Sequence, residues 1–315
     1  MIADFVPDYV DSGGVRLAVY TAGPEDGAPI LLIHGWPEIA YSWSLIMPLL
    51  AKAGYRVMAP DLRGFGRSDC PPDISDYRID RLVGDIEAVL DHYGYDKAIL
   101  CGHDWGGIIV WHAARMIAPR ASGIISICTP HIRRAPVDPV KIYKKRYGAQ
   151  HYFVHFNERC GEADALFARD IDGFFRLMFR TVPKGTQARH DMFYIPEKFK
   201  QFLGAGSPPL KGQILTDAQR AVFVKHYARS GFTGGINLYR NTGPNWEYAA
   251  TLPDEIDLPV LMISPEDDLL LPPNLTDPMP DMIPDLNRVT IPDCSHWAMW
   301  EQPDAVATAI LEWLA

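Results

Sequence analysis

Short apolar runs alternate with helix-period segments along most of this 315-residue chain. That pattern is expected of an α/β protein, a doubly wound, mostly parallel sheet whose strands are joined by helices. Two further observations refine it. Gly102-His103-Asp104-Trp105-Gly106 has the glycine spacing of a sharp strand-to-helix turn, where strand and helix leave little room for a Cβ. From His131 to Tyr248 strand runs vanish, aromatic residues crowd in and the periodicity becomes helical. The expected organisation is a core made of residues 1–130 and 249–315, with residues 131–248 inserted as a helical cap subdomain.

The elements follow in chain order. Val15-Tyr20 reads as an early strand, and Ile30-Ile33 as a buried one, because an unbroken apolar run needs cover on both faces. It ends at His34-Gly35-Trp36-Pro37, a tight loop that suits a cis peptide before Pro37. Tyr55-Ala59 is the next strand and ends at Pro60-Asp61. The glycine-rich stretch from Asp61 to Ser68 shapes a loop near the strand ends; Gly64-Phe65-Gly66 lacks the third glycine of a dinucleotide site. Arg81 to Tyr93 places Leu82, Ile86, Val89, Leu90 and Tyr93 on one helical face. The strand Lys97-Cys101 and the apolar helix Ile108 to Ile117 flank the sharp turn, and Ile124-Cys128 is the strand after it. Beyond the cap come the strands Val260-Ser264 and Arg288-Ile291 and a final helix, Ala305-Leu314.

Composition narrows the class. With 48% apolar and 22% charged residues the chain is globular. A net charge of −9 repels nucleic acid and anionic membrane surfaces, so neither is an expected partner. One basic cluster, Arg133, Arg134, Lys141, Lys144, Lys145 and Arg146, reads as a solvated helix face. Cys70, Cys101, Cys128, Cys160 and Cys294 are scattered without a CxxC pair, so no metal site, disulfide framework or cofactor is expected. Asp4, Asp8 and Asp11 stand where a secretory leader needs basic and then apolar residues, and no apolar run approaches the ~18 residues of a membrane span. The reading is a cytoplasmic protein.

In such a sheet ligands bind beyond the carboxyl ends of the strands, so the residues just past each buried strand should meet in one crevice. Asp104 takes the nucleophile's place in the turn. A carboxylate attacking an acyl carbon gives an anhydride, whereas on a saturated carbon with a leaving group it gives an alkyl ester that water can cleave. Epoxides and alkyl halides are the substrates this allows. An aspartate with an ordinary pKa of about 4 is ionised at neutral pH without a base. The backbone N–H groups of Trp36 and Trp105 are placed to form an oxyanion hole. Pro265-Glu266-Asp267-Asp268 and Asp293-Cys294-Ser295-His296 follow the last two strands, giving the chain order nucleophile, acid, histidine. His296 would deprotonate the water that attacks the ester, its ring oriented by Asp268, Asp267 or Glu266.

Trp36 between Gly35 and Pro37, the Gly-His-Asp-Trp-Gly turn, and Leu238-Tyr239-Arg240-Asn241 followed by Asn245-Trp246-Glu247 resemble the α/β-hydrolase-fold epoxide hydrolases. The resemblance runs from about Ala28 to the C-terminus and is weaker through residues 160 to 230. It implies conversion of a small apolar epoxide and water to a vicinal diol, with two cap tyrosines holding the epoxide oxygen. Tyr239 matches the second tyrosine together with its surrounding motif. Tyr152, in His151-Tyr152-Phe153 ahead of Gly161-Glu162-Ala163-Asp164, matches the first, with Tyr143, Tyr147 and Tyr194 as rivals. Ile263-Ser264-Pro265-Glu266-Asp267-Asp268 matches the family's acid motif with Asp268 in the acid's place.

Two other readings have distinct signatures. A haloalkane dehalogenase shares the turn and the Asp-His-Asp triad, and Trp105 could bind halide, but it typically carries Asn or Glu in place of Trp36 and needs no paired tyrosines. A non-catalytic ligand receptor on the same fold would not need every catalytic position filled. Which epoxide, which enantiomer and which oligomeric state depend on packing that the sequence does not spell out.

Overall fold

The computed structural model describes residues 6–181 and 192–315; Asp4 and residues 182–191, the latter within the stretch expected to form a cap, lie outside them. Eight strands form one sheet: β1 (Asp8–Ser12), β2 (Val15–Ala22), β3 (Pro29–Ile33), β4 (Arg56–Pro60), β5 (Ala98–His103), β6 (Ala121–Ile127), β7 (Val260–Pro265) and β8 (Leu286–Ile291). Their spatial order is β1-β2-β4-β3-β5-β6-β7-β8. The β1–β2 and β2–β4 pairings are antiparallel and the others parallel. Central strands are sealed on both faces, as Ile30 to Ile33 and Val260 to Ile263 are. β1 carries little sequence signal because it is an edge strand whose burial alternates, with only Val10 and Ser12 of Asp8–Ser12 covered.

From β3 the chain steps to β4, then returns to place β5 on the other side of β3. The carboxyl ends of β3 and β5 therefore diverge at a switch point, where such sheets open a binding crevice. The helix Ile79–His92 is locked to the loop after β4 by a buried fork, Arg63 Nε to Asp85 Oδ2 at 2.7 Å and Arg63 Nη2 to Asp85 Oδ1 at 2.5 Å.

Between β6 and β7 the described residues form helices, from Pro139–Tyr147 to Thr242–Tyr248, apart from one bridge between Arg180 and Gln213. Their shared core is aromatic: Phe156, Phe167, Phe174, Phe199 and Phe232 are fully buried. Each such ring contributes roughly 1.5–3 kcal/mol by leaving water. Trp36, from the loop after β3, joins this core edge-to-face with Phe156 at 5.6 Å and Phe174 at 5.9 Å. Among the described residues no helix is long and apolar enough to cross a membrane.

Candidate active site

β5 delivers Asp104 into a turn with φ 52° and ψ −115°, ahead of the helix Trp105–Met116. That backbone costs a non-glycine residue about 1–3 kcal/mol and persists only where its surroundings enforce it. Here they do: a Cβ on Gly106 would lie 2.7 Å from the Ile33 carbonyl carbon and 2.9 Å from His34 O. Thr129 Oγ1 donates to Asp104 O at 2.8 Å from the far side. The loop after β3 bends through a cis Trp36-Pro37 peptide and sends the Trp36 N–H to Asp104 Oδ1 at 2.8 Å. The Trp105 N–H bonds to the same carboxylate.

Burial pushes the Asp104 carboxyl above the usual range, opposed by the charges of His296 and His103 and by the two N–H groups. The expectation of an unperturbed aspartate is corrected accordingly. Its anion is sustained by fixed neighbours in place of water.

His296 follows β8, and its Nδ1 lies 2.8 Å from Asp268 Oδ2. Asp268 is braced in turn by the Leu270 and Leu271 N–H groups, each 2.9 Å from Oδ1. Burial raises the Asp268 pKa, but His296 and those two donors outweigh it and hold it below the ordinary value. For His296 burial acts downward, and the Asp268 and Asp104 carboxylates overcome it, raising the ring to about 9. His296 Nε2 is 3.8 Å from Asp104 Oδ2, too far for a direct hydrogen bond. Glu266 instead accepts from the Asp293 N–H at 3.3 Å, and the Asp267 N–H donates to Cys294 O at 2.9 Å.

Tyr152 and Tyr239 approach each other edge-to-face at 5.6 Å, and Tyr239 packs 4.9 Å from the Trp105 ring. Burial drives both phenols well above their ordinary pKa, and the Asp104 charge adds to each. Both phenols are therefore neutral at neutral pH. The rivals gather around His151: Tyr143 and Tyr147 stack on it at 4.9 and 5.0 Å, and the Tyr194 hydroxyl donates to Tyr147 O at 2.9 Å.

Sequence reasoning missed a buried pair behind the turn. His103 Nδ1 lies 2.7 Å from Glu38 Oε2, and its Nε2 lies 2.9 Å from His296 O. Glu38 also accepts from the Gly35 N–H at 2.9 Å. Burial would raise the Glu38 pKa, but His103 and the Gly35 N–H hold it below the ordinary range. The available signal was an acid just past His34-Gly35-Trp36-Pro37 and a histidine just before the nucleophile position. His103, Cys128 and His296 also bring metal-ligating atoms within 4.8 Å of one another. The His103 nitrogens and His296 Nδ1 are already committed to hydrogen bonds, so these residues serve the network described here.

Fold and site together define a hydrolase with its functional groups on a strand-to-helix turn and on the loops after neighbouring parallel strands. A family model described as alpha/beta hydrolase fold matches residues 28–303. Epoxide hydrolase A of Mycobacterium tuberculosis is 38% identical over 313 residues, covering 97% of this chain and 96% of the relative. Bifunctional epoxide hydrolase 2 of Sus scrofa is 33% identical over 307 residues, which span 96% of this chain but only 53% of that longer protein. The crystal structure of Epoxide Hydrolase A from Mycobacterium thermoresistibile superposes with a TM-score of 0.88 at 31% identity, covering 98% of this chain and 97% of that one. The chain belongs to the α/β-hydrolase-fold family and, within it, to the epoxide hydrolases.

Proposed function

We propose that this epoxide hydrolase works through a covalent alkyl ester on Asp104, with residues 131–248 acting as the cap that supplies the acids. The observation that carries the reading is the Asp104 carboxylate with the Trp36 N–H on Oδ1 and His296 Nε2 3.8 Å from Oδ2, together with the paired Tyr152 and Tyr239 rings, the latter 4.9 Å from the Trp105 ring. Asp104 Oδ1 is engaged by the Trp36 N–H, which leaves Oδ2 to attack an epoxide carbon. As the C–O bond of the ring breaks, a proton passes from Tyr239 or Tyr152 to the developing alkoxide, which is too poor a leaving group to depart unaided.

Esterification removes the Asp104 charge that helps raise His296, so the ring becomes easier to deprotonate when a base is needed. Neutral His296, oriented by Asp268, takes a proton from a water that attacks the ester carbonyl carbon. The Trp36 and Trp105 N–H groups hold the resulting oxyanion. Collapse frees the diol and restores the Asp104 carboxylate. The two protons of the water end on the second hydroxyl and on the phenolate, so the cycle closes on epoxide plus water to diol. A small apolar epoxide suits the aromatic surroundings.

Single-turnover hydrolysis in oxygen-18 water tests the route: label should enter the Asp104 carboxylate, and label confined to the diol would overturn it. The variant His296→Gln should accumulate an alkyl-enzyme ester, read by intact mass.

A further inference from the structure

The helix Thr233–Arg240 carries Tyr239 and begins with two buried glycines pressed onto the core. A Cβ on Gly234 would lie 2.5 Å from Gly64 Cα and 2.6 Å from Gly64 O, and a Cβ on Gly64 would lie 2.7 Å from Gly234 Cα. A Cβ on Gly235 would strike Trp36 Cδ1 and lie 2.7 Å from Trp36 Nε1. Backbone therefore rests on backbone and on an indole ring, neither of which can swing aside as the end of a flexible side chain can.

The same helix face reaches the reacting groups. Tyr239 stands four residues after Gly235, one helical turn further on the same side, and packs on Trp36 at 5.4 Å. Trp36 in turn holds Asp104 Oδ1 through its N–H. The far end of the helix is pinned by Arg240 to Asp164 at 2.7 Å and by Asn241 Nδ2 to Ile74 O at 2.6 Å. A side chain at the glycine end would lift that end while the other stayed fixed, tilting Tyr239 relative to Asp104.

We propose that Gly234 and Gly235 are positioning residues that set the separation of the Tyr239 hydroxyl from Asp104, and with it the rate of epoxide opening. The proposal rests on Tyr239 as an acid of the reaction. A misplacement of about 1 Å in a reacting group can cost on the order of 100-fold in rate.

The test is a double-mutant cycle on ester formation, in a His296→Gln background where the ester accumulates, with styrene oxide as probe and intact mass as readout. Gly235→Ala should slow ester formation by on the order of 100-fold, and should add little once Tyr239→Phe is present. Equal slowing in both backgrounds would reveal a merely structural glycine and overturn the proposal, as would an unchanged rate in Gly235→Ala. If Tyr239→Phe alone leaves the rate unchanged, the acid assignment itself fails and takes the proposal with it. Should Gly235→Ala not fold, Gly234→Ala meets Gly64 instead of Trp36 and runs through the same cycle with the same outcomes.

Discussion

Asp104 and His296 lie 3.8 Å apart, and each carries a raised pKa. Burial raises Asp104 directly, whereas His296 rises because two carboxylates face it, so the protonation of each depends on the other. Asp104→Asn should therefore lower the His296 pKa from its value of about 9, measured by nitrogen-15 NMR of the ring. A ring still titrating near 9 would mean that Asp268 alone sustains it. Tyr239→Phe should slow alkylation by epoxides by about 100-fold or more, the usual contribution of a positioned acid, and alkylation by alkyl bromides far less. Equal slowing would deny the phenol its role as a proton donor.

The two helices bearing Tyr152 and Tyr239, Tyr152–Glu158 and Thr233–Arg240, are tied to each other by polar links. Asn157 Nδ2 donates to Tyr239 O at 2.9 Å, and Arg240 Nε donates to Phe156 O at 3.1 Å. The Arg240–Asp164 pair beside them is nearly sealed, with side chains 5% and 12% exposed. Removing one partner of a buried pair leaves the other charge uncompensated, typically a loss of about 3–5 kcal/mol. Asp164→Ala should destabilise the protein by that order in urea melts and lower kcat, because both tyrosines lose a shared anchor. A change within about 0.5 kcal/mol, as for an ordinary surface substitution, would show that the pair does not anchor these two helices.

Across the whole molecule, buried histidines set the acid limit. Burial lowers His34 and His151 to about 4 and His112 to about 3, below the ordinary 6.5. A folded pKa below the unfolded one means the unfolded chain takes up protons first, so this stability is present above about 6.5 and is lost as pH falls toward 4. Asp61, raised by burial to about 6, acts oppositely, its contribution being lost as pH rises from 3.8 to 6. His296, raised to about 9, contributes stability that is full below 6.5 and lost as pH rises through 9. With six described histidines lowered by burial (His34, His112, His131, His151, His155 and His226) against three raised aspartates (Asp61, Asp85 and Asp104), Tm should climb from pH 4 to 6.5, hold, and decline above pH 8 to 9. A flat acid limb would refute that balance. The alternation of elements, the turn at Asp104 and the loops carrying Trp36, Asp268 and His296 were legible in the sequence, because periodicity and turn chemistry are local properties. Tyr239 and Tyr152 were legible only through motifs shared with a family. The Glu38–His103 pair spans 65 residues, the His103 bond to His296 O spans 193, and the meeting of Gly64 with Gly234 joins a loop to a helix that no local pattern links. Those contacts, and the pKa shifts that burial imposes, were decided by the order of strands in the sheet and the seating of helices on it, since only packing brings distant charges and bare backbones together.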